Sequence, residues 1–316
     1  MINVTASSFF AGIGGTCIGF EQAGVKVIWA NEKDENACKT YKENRKNTEL
    51  VQKDIRELSI DEIPDTQILI AGFPCQAFSI AGKRGGFNDE RGLLFFDLLK
   101  IIKAKKNDVI FLENVKNLEN HDKGKTLKII INKLNEIGYH VRYKVLNTME
   151  YGNVPQNRER IYIVGFLDEQ SFNKFEFPKK QKLSRKIKDI INLSDKKEDI
   201  FYYKKYKMYN EIKNIITRQD TLYQWRRKYV RENKSNVCPA LTANMGTGGH
   251  NVPLVLDNYD IRKLTPEECL AFQGFPSDFK FPGTISQAES YKQSGNSVSV
   301  PVIKKIAKNI ISAISE

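Results

Sequence analysis

Apolar residues in the first half of this chain fall into short runs, and helical spacing separates the runs. Residues 2–10, rich in Val, Ile, Phe, Ser and Thr, and residues 25–30 predict strands, while the short apolar runs 68–71 and 108–112 predict buried strands. Between and beyond them, the pattern predicts helices up to about residue 23 and over 35–44, 93–104 and 125–137. Residues 139–147 and 161–165 read as further strands. Strands that alternate with helices predict an α/β fold with a mostly parallel sheet. From about Lys179 the pattern dissolves. Residues 179–207 are lysine-rich and irregular, like a linker or the entrance to a variable domain, and helical spacing returns over 266–273, 286–291 and 300–314. The chain carries no internal repeat.

Composition narrows the picture. A length of 316 residues suits one large domain or two smaller ones, and an apolar content of 41% supplies a core. The net charge of +12 attracts a polyanion, with nucleic acid the first candidate and a membrane surface a weaker one. No stretch approaches the roughly 18 apolar residues of a membrane span, and the first residues lack the pattern of a signal peptide, so a cytoplasmic protein is expected. Cys17, Cys38, Cys75, Cys238 and Cys269 lie far apart and form no C-x-x-C pair, so neither zinc nor a disulfide framework is expected.

Candidate chemistry gathers where strands end. The run 67–71 leads into Gly72-Phe73-Pro74-Cys75-Gln76-Ala77-Phe78-Ser79, which puts Cys75 on the loop leaving a strand. The carboxyl ends of strands are the ligand edge of an open α/β sheet. A cysteine there is either a nucleophile whose thiolate a neighbour favours or an inert buried thiol. The first strand runs into Ala11-Gly12-Ile13-Gly14-Gly15-Thr16-Cys17, a turn that can lay bare backbone N–H groups against a ligand. Glu32 follows Gly12 by 20 positions, the spacing of an acid that accepts from a ribose diol. Cys17 stands where a third glycine would complete a dinucleotide fingerprint, which points instead to an adenosine ligand without a pyrophosphate. Asp54 and Ile55 sit where a carboxylate could meet an adenine amino group, or where a surface acid could simply be solvated.

Glu113 closes the strand 108–112, so parallel neighbours would bring it to the edge that carries Cys75. In extended backbone Gln156, Arg158 and Arg160 would share one face, as a polar site or as a salt bridge. The glycine-rich loop 81–92 carries Lys83, Arg84 and Arg91, which either meet phosphates or are solvated. Basic and aromatic residues interleave over 218–234, including Arg226, Arg227, Lys228 and Arg231, as nucleic-acid surfaces often do. The loop that follows holds Thr242, Asn244, Gly248 and Gly249 and is either a close approach to DNA or only flexible.

In this order the blocks resemble the DNA (cytosine-5)-methyltransferase family, of the bacterial restriction–modification type. Phe10-Ala11-Gly12-Ile13-Gly14-Gly15 is similar to its cofactor loop, and Gly72–Ser79 to its nucleophile block. Glu113-Asn114-Val115 resembles the acid block, and Gln156-Asn157-Arg158-Glu159-Arg160 the arginine block. Arg262-Lys263-Leu264-Thr265-Pro266-Glu267-Glu268 and Gly295-Asn296-Ser297-Val298 resemble the closing blocks. The match spares only about 180–260, the family's variable target-recognition region.

The resemblance implies a Rossmann-like S-adenosylmethionine-dependent methyltransferase with a mostly parallel mixed sheet, plus a small irregular target-recognition domain. The expected division is a catalytic and cofactor-binding domain at 1–180, a recognition domain and hinge at 181–286, and a segment at 287–316 that returns to the first. It implies S-adenosylmethionine held by Phe10, Gly12, Gly14, Gly15, Glu32, Asp54, Ile55, Pro74, Asn296 and Val298. It implies Cys75 as the nucleophile on C6 of a cytosine, Glu113 at N3 and the 4-amino group, Arg158 on O2 and Arg160 in support. Double-stranded DNA would meet Gln76, Ser79, Arg84, Arg226, Arg227, Lys228, Arg231, Thr242, Asn244, Gly248 and Gly249. It further implies a monomer without metal, acting in the cytoplasm on bacterial DNA beside a cognate restriction endonuclease. An RNA methyltransferase on the same fold and a catalytically silent DNA-binding regulator are the competing readings. The basic, aromatic stretch favours duplex DNA, and the intact Cys75, Glu113 and Arg158 favour catalysis. Two positions depart from the family. Lys33 stands where a bulky apolar residue usually meets the adenine, and Ala240-Leu241 stands where a Thr-Leu pair usually meets a phosphate, a contact that Thr242 could supply.

Overall fold

The computed structural model describes residues 4–74, 90–226, 229–233, 235–247 and 251–315, with the side chains of 90–93 left aside. In chain order the elements are β1 (Thr5–Phe9), α1 (Gly15–Glu21), β2 (Lys26–Glu32), α2 (Glu35–Asn44), β3 (Glu49–Gln52), β4 (Ile68–Ala71), α3 (Glu90–Lys105) and β5 (Val109–Val115). There follow α4 (Lys125–Glu136), β6 (His140–Asn147), α5 (Thr148–Tyr151), β7 (Gln156–Asn157), β8 (Glu159–Phe166), α6 (Glu169–Lys174) and α7 (Tyr209–Ile212). The chain ends with β9 (Tyr223–Trp225), β10 (Val230–Glu232), β11 (Cys238–Pro239), β12 (Leu254–Leu256), β13 (Ile261–Lys263), α8 (Pro266–Ala271), α9 (Gln287–Asn296) and α10 (Val300–Ser315).

Contacts divide the chain into two compact units, residues 1–146, 159–179 and 302–316, and residues 147–158 and 180–301. One break falls between Lys179 and Lys180. Residues 147–158 and 287–301 were expected elsewhere and group with the second unit. For 147–158 the reason is pairing: β7 forms a parallel bridge with β11, Cys238 against Gln156 and Pro239 against Asn157.

The first unit is built on a seven-stranded sheet in the order β3-β2-β1-β4-β5-β8-β6. The first five strands of that order pair in parallel, and β8 runs antiparallel to β5. Val109, Ile110, Phe111 and Leu112 are wholly buried, as an uninterrupted apolar run requires of a strand covered on both faces. Full burial of each such side chain contributes about 1.5–3 kcal/mol. In α10, Ile303, Ile306, Ala307, Ile310 and Ala313 recur at helical spacing and are buried, so the returning helix lays its apolar stripe into this unit. It packs on α1 at Gly19, where a Cβ would lie 2.5 Å from Ile303 Cγ2 and 3.2 Å from the Lys304 backbone nitrogen.

The second unit holds a four-stranded sheet in the order β10-β9-β12-β13. Its strands are only three residues long, and charged side chains organise its core. Arg262, wholly buried, donates through Nε to Asp257 at 2.6 Å and through both terminal nitrogens to Glu268 at 2.7 and 2.8 Å. Glu268 also closes the N-terminus of α8: it accepts from Thr265 N at 2.9 Å, Thr265 Oγ1 accepts from Glu268 N, and Pro266 occupies the first turn. The Arg262–Glu268 block thus reads physically as a helix cap welded to a buried ion pair.

Gly19→Ala gains helix propensity worth about 1 kcal/mol but forces a methyl group into Ile303 and the backbone behind it. A net loss of about 1–2 kcal/mol in urea unfolding is expected. Unchanged or raised stability would show that α10 yields freely at this contact.

Candidate active site

The register of the sheet aligns the strand ends. Phe9 pairs with Asn31 on one side and with Ala71 on the other, and Ala71 pairs with Leu112. One residue further on come Phe10, Glu32, Gly72 and Glu113, so one row carries four of the predicted positions.

At its β1 end, Phe10 adopts φ 52 and Gly12 φ 55, both left-handed, and Gly14 caps α1 at φ 88. For a phenylalanine this backbone is strained, and such strain gathers at functional sites. A Cβ on Gly12 would meet nothing within 4 Å, which leaves room for a ligand against bare backbone. On Gly14 it would meet Arg45 Cδ at 2.7 Å and Tyr41 at 3.1 Å, so that glycine serves packing against α2. Glu32 Oε2 accepts from Gly12 N at 2.8 Å, while Oε1 accepts from Lys33 N and Asp34 N at 2.8 and 2.9 Å. The carboxylate is thereby held at the mouth of the turn, half-buried. Cys17, at the position of the absent third glycine, is buried and accepts from Tyr41 Oη at 3.4 Å.

Next to it, the tips of β2 and β3 are joined by a residue not singled out in the sequence. Buried Asn31 donates to Val51 O at 3.1 Å and Lys53 O at 2.9 Å. This places Asp54 and buried Ile55 beside Glu32. Asp54 takes a two-pronged bond from Arg56, at 2.9 and 2.8 Å, and an ion pair from Lys33 at 3.3 Å. Those cations, Arg56 first, hold its carboxyl well below the usual range. Lys33, the departure from the family pattern, therefore reaches across the rim to Asp54.

At the β4–β5 end, the described chain stops at Pro74, half-buried. Cys75, Gln76, Ser79 and Arg84 lie outside the described residues. Phe73 is buried, and its carbonyl accepts from Asn114 Nδ2 at 3.1 Å, which ties the loop toward Cys75 onto β5. The Asn114 amide thus donates to a carbonyl that lies just past the last paired residue of β4. Glu113, 9% exposed, meets Arg160 Nε at 3.2 Å from the antiparallel neighbour β8, and a Cβ on Gly72 would lie 3.6 Å from its Oε2.

The two arginines expected on one face are separated. Gln156 N bonds Val154 O at 2.7 Å and Arg158 N bonds Gln156 O at 3.1 Å; these tight turns break the extended run that would have aligned them. Arg160 belongs to the first unit with Glu113. Arg158 belongs to the second, 1% exposed, with its terminal nitrogens on the carbonyls of Leu241, Gly295 and Ser297. The expectation that Arg158 faces a base is corrected accordingly. Asn296 and Val298 also lie in the second unit. So does the hairpin β9–β10, which exposes Arg226 and Arg231, with Arg231 bonded to Gln224. Thr242 and Asn244 are exposed, whereas Arg227, Lys228, Gly248 and Gly249 lie outside the described residues. Among the described residues no cluster of His, Cys, Asp and Glu could hold a metal, and no helix is long and apolar enough to cross a membrane.

The sheet order, the glycine turn and the acid at the tip of β2 are those of an α/β methyltransferase fold. Residues 4–312 match the family model for C-5 cytosine-specific DNA methylase, and the chain belongs to that family. It is 56% identical over 308 residues to type II methyltransferase M.Bsp6I of Bacillus sp. (strain RFL6), covering 96% of this chain and 97% of that protein. It is 42% identical to type II methyltransferase M.SsoII of Shigella sonnei, over 96% of this chain and 79% of that one. The fold is also that of a Spodoptera frugiperda DNMT2 variant, with a TM-score of 0.75 at 21% identity over 98% of this chain and 100% of the other. The protein is thus a DNA (cytosine-5-)-methyltransferase.

Because the Asp54 value is depressed on folding, its pairing stabilises the fold fully above the unfolded value of about 3.9 and is lost as pH falls through the folded value. Carboxyl NMR should find Asp54 still ionised below pH ~4, and a Lys33→Ala, Arg56→Ala protein should titrate near pH ~3.9. An ordinary titration in the unaltered protein would dissolve the ion cluster.

Proposed function

We propose that this chain is the modification enzyme of a type II restriction system. It methylates C5 of a cytosine flipped out of a short, specific duplex site, through a covalent bond between Cys75 and C6. The companion would be a restriction endonuclease that cuts the same site unmethylated, since the curated relatives are named type II methyltransferases. The observation that carries the chemistry is the Glu113–Arg160 pair at 3.2 Å, on the strand to which Asn114 ties the carbonyl two residues before Cys75.

C5 of cytosine is too weak a nucleophile to attack a methyl sulfonium unaided. Addition of the Cys75 thiolate to C6 makes C5 enamine-like, while Glu113 holds N3 and the 4-amino group and shares the proton that offsets developing negative charge. Arg160, paired with Glu113, would bind the base O2, the role first expected of Arg158. S-adenosylmethionine supplies the electrophilic methyl group, and the residues fit it: open space at Gly12, the Glu32 carboxylate for the ribose, and Asp54 and Ile55 at the adenine edge. A base then removes the C5 proton, the ring regains its double bond and the thiolate leaves. The base must leave the stack for this, at a cost of a few kcal/mol. Arg226, Arg231, Thr242 and Asn244, with the neighbouring residues of the recognition region, would position and read the duplex.

Bisulfite sequencing of DNA from cells expressing the chain tests the reading and returns the site. A duplex with 5-fluorocytosine at that site should trap the enzyme as a stable adduct, because fluorine cannot leave as a proton does. Cys75→Ser should bind this duplex without forming the adduct, since a hydroxyl is far less ionised than a thiol. An adduct formed by that variant would assign the attack to another residue.

Glu113→Gln should lower turnover by about 10²–10⁴-fold, the usual range for a positioned acid–base group. Arg160→Ala should cost about 10²–10³-fold in turnover, the range for removal of one charge-stabilising donor. Single-turnover rates near wild type in both variants would leave the Glu113–Arg160 pair a structural salt bridge.

A further inference from the structure

The Asp54 carboxylate is crowded with donors. Oδ1 accepts from Arg56 N at 3.1 Å and from Arg56 Nε at 2.9 Å, while Oδ2 accepts from Arg56 Nη2 at 2.8 Å and from Lys33 Nζ at 3.3 Å. An ionised carboxylate offers about four acceptor positions, and these donors fill them. The paired cations keep the group ionised, so it has no proton of its own to offer. The 6-amino group of an adenine is a donor as well. Where it meets this carboxylate, one of the present donors must give way.

The backbone does not make that room. Asn31 Nδ2 holds Lys53 O at 2.9 Å just before Asp54, and Glu57 N bonds Asp54 O at 2.9 Å just after it. Nor is Arg56 the donor that leaves most readily. Its bonds come from two positions on, through a planar fork and through the N–H that closes the local turn, so they support one another. Lys33 differs on each count. It makes a single and longer bond, and it reaches Asp54 from the tip of β2 with a side chain that is 61% exposed. An exposed ion pair of this kind is weak, and its release returns the ammonium to water. Lys33 N stays on Glu32 Oε1 at 2.8 Å, so the side chain can swing without disturbing the backbone at Glu32.

We propose that Lys33 is a specificity-determining residue of the cofactor pocket: it occupies the acceptor that the purine 6-position needs, yields it to a 6-amino group and donates to a 6-oxo group. The proposal rests on the functional reading above, in which Asp54 faces the adenine. A bulky apolar side chain at position 33 would leave the carboxylate one acceptor free, and that carboxylate would repel a 6-oxo oxygen. A mobile ammonium beside Asp54 relieves the repulsion and softens the choice between the two purines.

Calorimetry on the full chain tests this with S-adenosylhomocysteine and with S-inosylhomocysteine, its 6-oxo analogue, in the wild type and in Lys33→Ala. Loss of the competing donor should tighten S-adenosylhomocysteine by about two- to fivefold, the range that an exposed ion pair carries. The same change should weaken S-inosylhomocysteine, so that the preference for the amino form rises by about fivefold or more. Amine labelling of the wild type gives a readout that does not depend on a variant. S-adenosylhomocysteine should speed acetylation of the Lys33 amine by about twofold or more, because the freed ammonium loses the carboxylate that holds its proton, whereas S-inosylhomocysteine should slow it. Unchanged or weaker S-adenosylhomocysteine binding in Lys33→Ala, or a Lys33 amine that this ligand shields, overturns the proposal. Asp54→Asn keeps the two failures distinct. If it binds S-adenosylhomocysteine as tightly as the wild type does, Asp54 does not face the adenine, and the functional reading of this edge falls together with the role of Lys33. If it binds more weakly while Lys33→Ala is unchanged, only the role of Lys33 falls.

Discussion

The site depends on one constraint, the register of the sheet at its carboxyl edge. Phe9 pairs with both Asn31 and Ala71, and Ala71 with Leu112, so strands from four distant parts of the sequence stop in step. A slip of one residue in any pair would turn its side chains to the opposite face. The glycine turn, the Glu32 carboxylate, the chain toward Cys75 and the Glu113 carboxylate all begin one residue past that row.

Around that row, polar side chains take over wherever the backbone ladder stops. Asn31 carries β2 to β3, and Asn114 carries β5 to the chain before Pro74. Glu32 bridges its own strand tip to the glycine turn, and Lys33 and Arg56 converge on Asp54. Each is a short, local bond that fixes where a loop departs. The second unit uses charge more heavily, with Arg262 enclosed by Asp257 and Glu268. Removing one partner from such a buried group typically costs about 3–5 kcal/mol, which makes the block a structural commitment as much as a motif.

Much of this was legible in the sequence. Unbroken apolar runs gave β4, β5 and β8, and shorter stretches rich in β-formers gave β1 and β2. The turn at Gly12–Gly15 and Glu32 were expected at the tips of the first two strands, and they lie there, bonded to each other. What stayed hidden was of two kinds. The strands of the second unit are three residues long, too short for periodicity to register, and β3 is half-exposed with no apolar run. The placement of Arg158 and Arg160 was misread because extended backbone was assumed through Gln156-Asn157-Arg158. Two successive tight turns there send neighbours in sequence to different surroundings. Asn31 and Asn114 carried a faint signal, since each is an amide side chain at the next-to-last position of its strand, where a carbonyl needs a donor.

The discontinuous make-up of the second unit bears on how such proteins exchange specificity. Its residues come from 147–158 and 180–301, so the unit that carries the variable region is not a cassette bounded by one cut on either side. A graft of 180–301 from a relative would leave Arg158 behind, and that guanidinium would then meet foreign carbonyls in place of those of Leu241, Gly295 and Ser297. Recombination that preserves a working junction has to move the short upstream piece together with the large one, or find a donor whose loop root and turn keep the same spacing. Modular inheritance of target choice in this architecture is therefore gated by twelve residues that lie well before the variable region begins.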